Sequence, residues 1–65
     1  MWHIRAHKTR STWYYFTENP QGGGFGSTIV ASKRTAIWLA SRNIPDGEKY
    51  TLTVNETLIG TFTKG

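Results

Sequence analysis

Cysteine is absent from this 65-residue sequence, so neither a disulfide framework nor a thiolate metal site can staple the fold. Two histidines fall short of a structural zinc shell. Acids are scarce, four against eight Lys and Arg, and they are scattered at Glu18, Asp46, Glu48 and Glu56. No nucleophile stands beside an obvious base, which argues against an enzyme and nominates no catalytic residue. Long apolar runs are missing as well. The longest, Ala36-Ile37-Trp38-Leu39-Ala40, is far below the roughly 20 residues of a spanning helix. The opening segment Met1 to Lys8 has neither an apolar h-region nor a small-residue cleavage site. The expectation is a cytoplasmic protein without membrane, metal or cofactor, in which Asn55-Glu56-Thr57 is a turn and not a glycosylation sequon. At this length the chain is a single small domain, residues 1–65. Its core must be apolar and aromatic, or shared with a second copy in a homo-oligomer.

What is present is mostly β signal. Trp2, Ile4 and Ala6 alternate with His3, Arg5 and His7, the period of a half-buried strand. Lys8-Thr9-Arg10-Ser11 reads as a polar loop. Thr12 to Glu18 is rich in aromatic and β-branched residues, and Asn19-Pro20-Gln21-Gly22-Gly23-Gly24 reads as a hairpin loop. Phe25 to Val30 resumes the strand pattern. From Ser32, an N-cap residue type, the period becomes helical to about Asn43. Ala36, Ile37, Ala40 and Ile44 fall on one apolar arc, and Pro45-Asp46-Gly47 ends the helix. Tyr50 to Asn55 and Leu58 to Thr63 form a C-terminal hairpin. The order βββαββ predicts an α+β fold, a single antiparallel sheet with one helix packed on one face. Ile4, Ile37, Ala40, Leu52 and Val54 are the expected core.

Two surfaces are candidates for function. A net charge of +4 and a pI near 9.9 favour anionic partners. If Trp2, Ile4 and Ala6 face the helix, then His3, Arg5 and His7 face outward, with Lys8 and Arg10 at the end of the stripe. It is bordered by Trp13 and Tyr15 or by Tyr14 and Phe16, depending on register. Cations interleaved with aromatics suit nucleic acid, because cations release counterions from phosphates and rings stack on bases. The set Arg5, His7, Lys8, Arg10, Trp13 and Tyr15 is therefore the expected binding surface for DNA, or for RNA. The plain alternative is a solvated strand with snorkelling basic side chains. The second surface is a ridge of Arg34, Trp38 and Arg42 at helical i, i+4, i+8 spacing, opposite Ala40. It fits a protein anchor, unless the C-terminal hairpin or another copy covers Trp38. His3 and His7 share a strand face about 13 Å apart, too far to ligate one metal ion. Gly22-Gly23-Gly24-Phe25-Gly26 lacks the Lys-Ser/Thr of a phosphate-binding loop and opens no helix, so it reads as a hairpin tip.

The stretch carrying Ile4-Arg5, Trp13-Tyr14-Tyr15-Phe16, Asn19-Pro20-Gln21-Gly22, the strand from Phe25, and Ser32-Lys33-Arg34-Thr35-Ala36 resembles the arm-site-binding N-terminal domain of tyrosine-type phage integrases. That resemblance implies a three-stranded sheet followed by a helix, with the sheet presented to the DNA major groove. It would implicate Arg5, His7, Lys8, Arg10 and the outward aromatics of the second strand. Residues 48 to 64 add a hairpin that this pattern does not contain. The whole order is also similar to small βββαββ bacterial and phage proteins of unknown function. The leading expectation is a small DNA-binding domain. Its competitor is a phage-encoded module that binds or inhibits a host complex through the Trp38 ridge, in the host cytoplasm.

Overall fold

The computed structural model describes residues 1–30 and 32–65. Five strands and one helix follow in the order read from the sequence: β1 (Trp2–Thr9), β2 (Thr12–Glu18), β3 (Gly24–Val30), α1 (Lys33–Ser41), β4 (Lys49–Val54) and β5 (Thr57–Thr63). They make an α+β unit, one five-stranded sheet of order β3-β2-β1-β4-β5 with α1 packed on β1, β2 and β3. The sheet is mixed and not, as the sequence suggested, purely antiparallel. The pairs β1–β2, β2–β3 and β4–β5 are antiparallel, whereas β1–β4 is parallel. Connectivity explains this. Two hairpins leave β3 running with β1, and the helix then carries the chain back, so β4 starts in the direction of both. A crossover of this kind is the ordinary way to bring parallel strands together.

The hairpin turns are tighter than the polar stretches around them. Thr9 pairs with Thr12, so the expected four-residue loop contracts to Arg10-Ser11, with Arg10 in the left-handed region at φ 59. The β4–β5 turn is also two residues, Asn55 and Glu56, at φ 48 and 68. Positive φ at both positions is the turn whose twist matches the flanking strands. Asn55 is tied to the end of β1 at two points: its amide donates to the Ala6 carbonyl (2.9 Å) and its Oδ1 accepts from the Lys8 amide (2.9 Å). In the β2–β3 loop, Asn19 Oδ1 accepts from the amides of Gln21 (2.9 Å) and Gly23 (3.0 Å).

The core lies between α1 and the middle of the sheet. Ile4, Ala6, Ala36, Ala40, Ile44 and Leu52 are buried, and Trp2, Tyr15, Ile37, Tyr50 and Val54 pack around them half-buried. Ile37 and Val54 are thus less enclosed than expected. The helix approaches the sheet through the small, fully buried Ala36 and Ala40 and lies mainly over β1, β2 and β3, which leaves Ile37 and Val54 at the margin of the core.

At its N-terminus α1 is capped as predicted, the Ser32 side chain accepting from the Thr35 amide (3.2 Å). Its C-terminal end has no basic residue in the last turn, yet all four terminal carbonyls have partners. Trp38 O accepts from the Ser41 hydroxyl (2.8 Å), Leu39 O from the Arg42 amide (3.3 Å) and Ala40 O from the Thr17 hydroxyl (2.6 Å). Ser41 O accepts from the Ile44 amide (3.0 Å) and from the Lys64 ammonium (2.8 Å), which also reaches Ile44 O (3.0 Å). The orphan acceptors of the helix end are satisfied by a buried threonine of β2 and by a lysine whose charge suits the negative end of the helix dipole.

Candidate nucleic-acid interface

Alternation along each strand, combined with the cross-strand register, decides which side chains lie opposite the helix. With Ile4 and Ala6 buried beneath α1, their partners Thr17 and Tyr15 share that side, as does Trp13 opposite Lys8. The open face therefore carries His3, Arg5, His7 and Thr9 of β1, and Thr12, Tyr14, Phe16 and Glu18 of β2. Trp13 and Tyr15, assigned to the binding surface from the sequence, instead face the helix side, and Tyr15 packs against the core. Tyr14 and Phe16 are the outward aromatics. Lys8 is exposed but belongs to the helix-bearing side, whereas Arg10 is exposed in the turn just beyond the sheet.

The outward groups come together in cross-strand pairs. His7 lies opposite Tyr14, their rings 5.2 Å apart and within 9° of parallel. Arg5 lies opposite Phe16, and its guanidinium is 4.0 Å from the Glu18 carboxylate. At that length, with both side chains solvated, the ion pair is weak and the Arg5 charge remains available to a ligand. Phe16 owes its pose to β3, where Gly26 lies opposite it and Gly24 lies opposite Glu18 on the same face. A Cβ at Gly24 would lie 2.7 Å from Phe16 Cε2, and one at Gly26 would lie 3.1 Å from Cδ1. The ring thus rests on bare backbone and turns its other side to solvent, 39% of the residue being exposed.

β4 extends the face on the other side of β1. Thr51 and Thr53 sit beside His3 and Arg5, and both ring nitrogens of His3 are engaged, Nδ1 with the Thr51 hydroxyl and Nε2 with the Thr53 hydroxyl, the latter at 3.0 Å. Burial chiefly, and the neighbouring Arg5 charge secondarily, hold the His3 pKa below its ordinary value against the pull of Glu18. Lys49, exposed, continues this row. Sequence reasoning overlooked Lys49, Thr51 and Thr53 because their place beside β1 depends on the parallel pairing.

On the opposite side of the molecule Trp38 is 59% exposed. The Arg42 guanidinium lies over its ring, 5.5 Å from the centroid, and Arg34 is exposed one turn earlier. The C-terminal hairpin does not cover this ridge, on which Trp38 stands exposed. Among the described residues no helix is long and apolar enough to cross a membrane. Comparison with family models, curated proteins and solved structures finds no match for this chain.

Proposed function

We propose that this chain binds nucleic acid through the open face of its sheet, in a cytoplasm that is the host's if the chain is phage-encoded. The observation that carries the reading is the interleaving of polar or charged side chains with aromatic rings on one uncovered surface: the Arg5 cation opposite Phe16, and the His7 ring stacked on Tyr14. Arg10 and Lys49 lie beyond its two ends. Positive side chains neutralise phosphates, while exposed rings accept stacked bases whatever the nucleic-acid sequence. Trp13, Tyr15 and Lys8 drop out of the contact set on this reading, and Tyr14 and Phe16 take their place.

The test is titration of a labelled oligonucleotide at several salt concentrations. Three phosphate contacts, from Arg5, Arg10 and Lys49, give a slope of log K against log salt of about −2 for a single strand and about −3 for a duplex. A flat salt response, or no binding at low salt, overturns the reading.

A second reading, a protein-binding module acting through Arg34, Trp38 and Arg42, is favoured by one observation. Trp38 is a large aromatic left exposed beneath a cation, the pairing of residue types that recurs at interface hot spots.

A further inference from the structure

We infer that the open face takes single-stranded nucleic acid and not the groove of a duplex, an inference that rests on the nucleic-acid reading above. Width is the first ground. The contact residues sit on β1 and β2, with β3 flanking one side and β4 and β5 the other. Five strands at about 4.8 Å spacing span about 19 Å. A major groove about 12 Å wide admits a helix or a two-stranded ribbon, so the rims of this sheet meet the phosphate backbones before Arg5 or His7 reaches a base edge. A single strand laid across the face meets no such obstacle.

The second ground is the spacing and pose of the rings. Tyr14 and Phe16 lie two residues apart on β2, about 6.8 Å along the strand, roughly twice the 3.4 Å rise between stacked bases. Neighbouring bases can occupy both rings only when the nucleic-acid chain is splayed, which an intact duplex does not permit. Phe16 is supported from below by Gly24 and Gly26, so a base can be received on its outer face without the ring yielding. Arg5, opposite Phe16, supplies charge for the linking phosphate. Unstacked bases on aromatic platforms, held by a cationic track, are the common physics of single-strand recognition.

The experiment compares anisotropy of labelled eight-nucleotide single strands, one DNA and one RNA, with a duplex of the same sequence. Parent, F16L and F16Y proteins are used, each checked for folding by its thermal melt. Expected are binding of at least one single strand tenfold or more tighter than the duplex, a loss of at least about fivefold in F16L, which keeps bulk but not the π-face, and retention in F16Y. A duplex bound as tightly as the single strands, or a folded F16L that binds like the parent, overturns the single-strand inference while leaving nucleic-acid binding intact. Binding to none of the probes overturns the underlying reading, and this inference with it.

Discussion

His3 is a titratable residue whose pKa folding shifts. In the unfolded chain it titrates near 6.5, and in the folded sheet its pKa is lowered, by burial first and by Arg5 second. Between the folded value and 6.5 the unfolded state therefore binds more protons, so stability rises with pH in that window and is lost as pH falls through it. Thermal melts between pH 8 and pH 5 are expected to show a midpoint that is flat above about pH 6.5 and declines below it. In His3→Gln the part of the decline due to His3 should vanish, and an unchanged pH slope in that variant would show that His3 is not its source. The alternation of Trp2, Ile4 and Ala6 with His3, Arg5 and His7 was enough to put His3 on the outer face. Its two threonine partners could not be read from local pattern, since they lie 48 and 50 residues away.

At the scale of elements, the helix was half legible. Ser32 and the apolar arc located its start and its buried side, because both signals are local. Its end depends on Thr17 and Lys64, which no helical periodicity can reveal. Thr17 carries the sharper consequence: it is fully buried and its hydroxyl serves the Ala40 carbonyl. Thr17→Val keeps the shape but strands that acceptor, a loss of about 1–3 kcal/mol, which should lower the melting midpoint by several degrees or more in a chain of this size. A variant that melts with the parent would mean that water replaces the hydroxyl. The second strand was legible as a strand but not, from its own pattern, in its facing. The alternation already buried Ile4 and Ala6, and an even-numbered turn then forces odd-numbered β2 residues onto the same side. The four-residue loop Lys8-Thr9-Arg10-Ser11 and the observed Arg10-Ser11 turn are both even-numbered, so either connection turns Tyr14 and Phe16 outward; the facing was in the parity of the loop rather than in its exact length.

For the whole molecule, the helix and the sheet present two candidate surfaces on opposite sides, and one substitution separates them. Trp38 lies about 160° around the helix axis from the buried Ala40, so Trp38→Ala should leave stability within about 0.5 kcal/mol of the parent. On the nucleic-acid reading it should also leave oligonucleotide affinity unchanged, whereas a protein-anchor role predicts loss of partner capture with the fold intact. An isothermal titration together with a melt of the same variant checks both. The α+β class and the order of elements followed from local periodicity, whereas the parallel meeting of β1 with β4 is a matter of topology and left no mark on either strand. That meeting also bears on how the chain reaches its fold. The β1–β2–β3 meander closes through neighbouring turns, on the microsecond scale of hairpins, but β1 keeps one bare edge until a strand 48 residues distant is delivered by the docked helix. Pairing at such separation must meet its loop-closure entropy before any contact offsets it, so β4 should pair late and leave the first strand made the last to be enclosed, with φ-values near zero expected for substitutions in β4.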